Sequence, residues 1–233
     1  LFVRYWSKNI LILVLAVVFA YLGYLSFGYP SYFDKLFILV LLFLISTFKI
    51  SKDLFTIGLI LLIERGVAVL LFEVSALVYI KALVYFSGFY LIYKLKYDTQ
   101  TRTLLLPLLI LTLFIEAYWF LTGYSAPRIH TYIALIYLNL ITRFFLIFRA
   151  HIFRNMFKGE VSSTSLDLSL YRIAGFYNWM LVAMIVEYFI RHTTHFNLTT
   201  IYNSYSLLAQ FASLVTLYFI LSYVVQAKFR FKA

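Results

Sequence analysis

Eight apolar runs, each 17 to 19 residues long, follow one another with short polar breaks at 10–27, 32–48, 54–72, 76–93, 103–121, 132–148, 173–190 and 207–225. A run of about 20 apolar residues spans the hydrocarbon core of a bilayer as a helix, and backbone groups in lipid must find their partners within the segment. The runs are continuously apolar and do not alternate, which excludes the strands of a barrel. The sequence therefore predicts an all-α, polytopic transmembrane helical bundle of about eight spans, a single domain over residues 1–233 with no soluble domain. The narrowest division is Glu73-Val74-Ser75; without a turn there, seven crossings remain.

Charge in the connections sets the orientation, because loops rich in Lys and Arg stay cytoplasmic. With eight spans, 14 of the 20 basic residues fall on one side, and only Lys35, Arg128 and Arg191 on the other. Both termini are then expected on the cytoplasmic face of a bacterial inner membrane, or the equivalent face of an organelle inner membrane. The net charge of +11 is accounted for by topology and by attraction to anionic lipid, so no nucleic-acid partner is inferred. The absence of Cys removes disulfides, thiolate metal sites and cysteine nucleophiles.

Three basic residues, Arg65, Lys81 and Arg143, fall inside spans, as do Glu64 and Glu116. Ionisable groups at the bilayer centre cost about 3 kcal/mol on insertion scales, so they mark buried pairs or functional paths. Counted from the turn near Val74, Glu64 and Lys81 differ in depth by about 4 to 5 Å, which a lysine side chain can span; they are expected to pair. Arg65 projects to another side of the helix, with Glu116 as its candidate acceptor. Arg143, nearer the inner surface, is expected to snorkel. Glu187 and Arg191, four apart at an outer helix end, have the spacing of a local ion pair. A shift of 52 residues superposes Glu64 on Glu116 and Tyr85 on Tyr137, a weak echo of a duplicated hairpin.

The long inner connection, 149–172, is expected to form a cytoplasmic interfacial segment. Its first part sets Phe148, Ile152, Phe153, Met156 and Phe157 on one helical face, with Arg149, Arg154 and Lys158 available to lipid phosphate. Ser165 or Asp167 is placed to cap the next helix. Residues 153–160 resemble part of the signature of the proton-channel subunit of rotary ATP synthases. The position of that signature's essential arginine holds His151, however, and polar serines follow, so no function is carried over. His130, His192 and His195 share the outer layer, but their spacing specifies no metal site, and no cofactor is inferred.

Only Pro107 lies inside a span, so the broken midplane helices that transporters use to bind substrate are not expected. Together with 25 Phe and 21 Tyr, this favours an accessory or scaffold subunit of a larger membrane assembly, contacting lipids and other membrane subunits. A small transporter or ion- or proton-conducting protein is the alternative. An intramembrane lipid-modifying enzyme comes third, since acids and histidines are present but no arrangement specifies a reaction.

Overall fold

The structure is a computed structural model that describes residues 10, 13–14, 17–18, 21–25, 30–46, 51–74, 78–94, 99–124, 129–157, 161–194 and 196–230. Among these, all regular structure is helical: α1 (Pro30–Ser46), α2 (Lys52–Val74), α3 (Val78–Lys94), α4 (Thr99–Leu121), α5 (Ile129–Ile147), α6 (Arg149–Arg154), α7 (Ser165–Thr193) and α8 (Thr200–Arg230). The described residues before α1 are helical as well. Four stretches are long and apolar enough to cross a membrane: Lys52–Leu71, Ile129–Ile147, Ser165–Thr193 and Thr200–Gln226. Phe37–Ser46 and Leu105–Leu121 are apolar but shorter. The narrow division expected at 73–75 coincides with the end of α2, and residues 75–77 lie outside the described set.

Local chemistry explains where the key helices begin and end. Ser51 caps α2, its hydroxyl accepting the Leu54 N–H at 3.3 Å. At α7 the cap is Thr164, one residue before the expected Ser165. Thr164 Oγ1 accepts the Asp167 N–H at 3.4 Å, and Asp167 Oδ2 accepts the Thr164 N–H at 2.8 Å, a reciprocal box that satisfies two otherwise orphaned donors. α4 closes on Gly123, whose φ of +65° is the left-handed conformation a glycine adopts without penalty. The Gly123 N–H then reaches Phe120 O at 3.3 Å, and the Tyr124 N–H reaches Trp119 O at 2.9 Å. This Schellman pattern folds Tyr124 back over Trp119.

The chain divides into two compact units. The first contains residues 1–63, 142–177 and 203–233. Its core joins Leu41 and Leu44 of α1, Ile57 and Leu61 of α2, Leu166 and Leu170 of α7, and Leu217 and Ile220 of α8. α1 and α2 meet closely at Gly58, where an added Cβ would stand 2.8 Å from Leu44 Cβ. The second unit contains residues 64–141 and 178–202. There α3 packs on α4, and Leu109, Ile115 and Trp119 of α4, Ile133 and Ile136 of α5, and Leu181 and Ile185 of α7 are buried.

Candidate functional site

The first unit holds its strongest polar cluster around Arg149, against the first turns of the membrane-length helices α2 and α7. α5 ends at Ile147, Phe148 leaves the helical conformation (φ −96°, ψ 7°), and the six-residue α6 begins at Arg149. Arg149 is thereby turned inward, with 0 % of its side chain exposed. Its Nε and Nη2 donate to the two Asp167 carboxylate oxygens at 2.7 and 2.9 Å. Nη1 donates to Asp53 Oδ1 at 2.9 Å and Thr56 Oγ1 at 2.8 Å. Nη2 also donates to Ser162 O at 2.7 Å. All five guanidinium N–H groups thus have protein acceptors, two of them in a bidentate fork on Asp167 that fits the planar cation.

The surrounding groups complete the network. Asp53 accepts the Ser162 N–H at 2.9 Å and its hydroxyl at 3.2 Å, while Thr56 donates its own hydroxyl back to Lys52 O at 2.9 Å. Two carboxylates against one guanidinium leave an excess negative charge. Both acids stand in the first turn of a helix, Asp53 in α2 and Asp167 in α7, where the helix dipole favours an anion. Burial alone disfavours the Arg149 charge, but the hydrogen bonds and charge of Asp167, then of Asp53, outweigh it, and the pKa stands above the ordinary arginine value.

This geometry corrects the expectation that Arg149 offers itself to lipid phosphate: its donors are already engaged inside the protein. It also shortens the expected interfacial helix. α6 has six residues, Phe148 and Met156 are exposed, and Phe157 instead packs edge-on to Phe55 at 5.9 Å with Lys52 Nζ 5.6 Å from its ring centroid. Arg154 is exposed on α6, and Lys158 lies outside the described residues. Arg143 stacks its guanidinium over Tyr171 at 4.1 Å.

In the second unit the charges expected inside spans pair differently from expectation. Lys81 Nζ forms its ion pair with Glu116 Oε2 and not with Glu64, and Tyr85 Oη donates to the other Glu116 oxygen at 3.4 Å. Glu116 is therefore the acceptor of Lys81, the role the sequence had assigned to Glu64. Glu64 and Arg65 are half-buried on α2. The i, i+4 pair of Glu187 and Arg191 does not form either. Glu187 is 3 % exposed and accepts the Ile201 and Tyr202 N–H groups at 2.6 and 3.2 Å, capping α8 from the side of α7. Arg191 lies between the rings of Tyr188 and Tyr202, 5.2 and 5.0 Å from their centroids.

Close by, His192 Nδ1 shares a hydrogen bond with Tyr124 Oη at 2.6 Å, and Trp119 meets Tyr188 and His192 edge-on. His130 is buried at the start of α5, and His195 lies outside the described residues. Sequence reasoning also passed over Asn139 and Asn178, which join α5 to α7 through a buried 3.0 Å amide hydrogen bond. Their signal was legible, since each is a lone amide in an apolar run, where such groups bridge helices.

Among the described residues the fold is all-helical with four membrane-length apolar stretches, and the polar sites above join one helix to another. No family model, no curated protein and no solved structure matches the chain.

Proposed function

We propose that this chain is an eight-span integral membrane protein, both termini cytoplasmic, that serves as an accessory or scaffold subunit of a larger membrane assembly. The observation that carries this reading is the closure of Arg149: its guanidinium is fully engaged by Asp53, Thr56, Ser162 and Asp167. The same internal closure holds at Glu187, on the N-terminus of α8. Groups arranged in this way hold helices in register. Toward the outside the chain presents large side chains, among them Phe86, Phe89, Tyr90 and Tyr93 along one face of α3, at the spacing of a helix that contacts a neighbouring helix.

The test is purification in mild detergent followed by reconstitution. A stoichiometric partner, and no proton or ion flux from the chain alone in liposomes, are the expected results. The eight-span topology is checked by labelling: Lys96→Cys and Arg230→Cys should react only from the cytoplasmic face and Ser125→Cys only from the other.

A second reading, a proton- or ion-conducting protein, draws on Lys81, Glu116 and Tyr85, an acid, a base and a phenol in contact. It requires flux from the isolated chain that Glu116→Gln abolishes while leaving the fold intact.

A further inference from the structure

The second unit carries an open apolar groove of about 330 Å³ along α7, lined by Trp179, Val182, Val186 and Ile190 of that helix and by Leu198 and Ile201 at its far end. Its lining is almost wholly apolar, and Trp179 stands 64 % exposed at its mouth. From Trp179 to Ile190 the helix rises about 16 Å, close to the half-thickness of a hydrocarbon core of about 30 Å. The groove thus has the length of one leaflet.

The polar end of the groove is built from different residues. Ala183 and Glu187, both in the lining, share a row with Arg191, each four residues from the next. Arg191 therefore sits one turn beyond the groove. Glu187, the acid at the right spacing to neutralise it, is buried and holds two backbone N–H groups of α8, where the helix dipole balances its charge. Among the described residues Arg191 has no ion pair; it is oriented by Tyr188 and Tyr202. An apolar slot one leaflet long, ending in an oriented cation without an acid, matches an amphiphile with one anionic end.

We propose that this groove binds an anionic phospholipid, one acyl chain lying along Trp179, Val182, Val186 and Ile190 and the phosphate on Arg191. The site does not depend on the scaffold reading, since either a scaffold or a conducting protein can hold a structural lipid. Charge complementarity selects lipid over an apolar partner helix, which would leave the guanidinium uncompensated at the membrane surface.

The test is native mass spectrometry of the full chain in detergent, titrated with phosphatidylglycerol and, separately, with a diacylglycerol of the same chains. One cation near a membrane surface contributes about 1 kcal/mol. Arg191→Gln should therefore weaken phosphatidylglycerol binding about fivefold and leave the diacylglycerol unaffected, while Arg191→Lys retains most of the binding. Ala183→Phe, which fills the groove, should weaken both ligands. An unaltered melting temperature in detergent confirms that each variant is folded. Phosphatidylglycerol binding that is the same in the wild type, Arg191→Gln and Ala183→Phe would overturn the proposal. So would millimolar inorganic phosphate displacing the lipid completely, which would mean an anion site without a chain, or a co-purifying membrane protein lost from Ala183→Phe while the lipid count stays constant.

Discussion

In the first unit Arg149 is sealed from solvent and shared among two carboxylates, a hydroxyl and a carbonyl, whereas in the second unit Lys81 keeps 40 % of its side chain exposed and relies on one carboxylate, Glu116. The two cations carry the same charge, yet their surroundings make them energetically unlike. A guanidinium offers five donors in a rigid fork, so it can be buried if every donor finds an acceptor. An ammonium on a flexible stem has three donors in no fixed geometry, and at Lys81 a single carboxylate, Glu116, takes the ion pair. Charge alone therefore does not measure how much a basic residue contributes to this fold; the number of satisfied donors and the degree of burial do.

The largest effect should come from breaking the sealed cluster. Arg149→Met strands Asp53 and Asp167 as uncompensated acids, a change that costs about 3 to 5 kcal/mol in comparable buried sites. Folded yield and the melting temperature in detergent should both collapse. Arg149→Lys should fail to rescue either, because three donors cannot replace the fork on Asp167 together with the bonds to Asp53, Thr56 and Ser162; a wild-type melting temperature for that variant would reduce the cluster to simple charge neutralisation.

A smaller but clear loss is expected at Gly88 in the second unit. An added Cβ there collides with Tyr137 Oη and Leu109 Cδ1, and overpacking of this kind costs about 1 to 3 kcal/mol. Tyr137→Phe removes the hydroxyl contact but leaves the ring carbon Cζ 2.7 Å from the added Cβ, so the pair Gly88→Ala with Tyr137→Phe should recover only a small part of the lost stability, measured by thermal unfolding.

Glu187→Gln should cost about 1 kcal/mol by weakening the anion at the start of α8. Hydrogen exchange at the Ile201 and Tyr202 amides is the direct readout, and it should accelerate there before it does elsewhere in α8. The last effect belongs to the single pair: Lys81→Gln removes one ion pair of Glu116 and should lower the melting temperature by less than Arg149→Met does. A double-mutant cycle between Lys81 and Glu116 should show measurable coupling that one between Lys81 and Glu64 lacks. Coupling as strong as that of Arg149 with Asp167 would erase the contrast between the two sites.

Much of the site was written in the sequence in a form that could not be read there. The Ser51 cap before Asp53 was not read from the sequence, while a helix start near Asp167, there assigned to Ser165 or Asp167 itself and formed by Thr164, was legible. That both turn toward Arg149 was not, because 96 residues separate Asp53 from the arginine. Glu187 and Arg191 have ideal spacing for a local pair, and that spacing misled: the free N–H groups of α8 compete for the same carboxylate and win with two hydrogen bonds. Lys81 had Glu64 within reach of its depth, yet the packing of α3 on α4 brought Glu116 to it instead.

The helical class followed from the sequence by itself, which set out eight apolar runs, four of them falling on helices long and apolar enough to cross a membrane. Transfer of apolar side chains, capping and left-handed glycine are local terms, summed over neighbours in the chain. Only the tertiary structure decided which charges meet. An ion pair depends on distances of about 3 Å between groups on different helices, and helix rotation and tilt move a side chain by more than that without altering the hydropathy of a single residue. So the sequence established that Lys81, Glu116 and Glu187 each needed a partner and left Arg149 to lipid phosphate, and the packing of the helices gave Arg149 to Asp53 and Asp167, joined Lys81 to Glu116, and gave Glu187 to the backbone of α8.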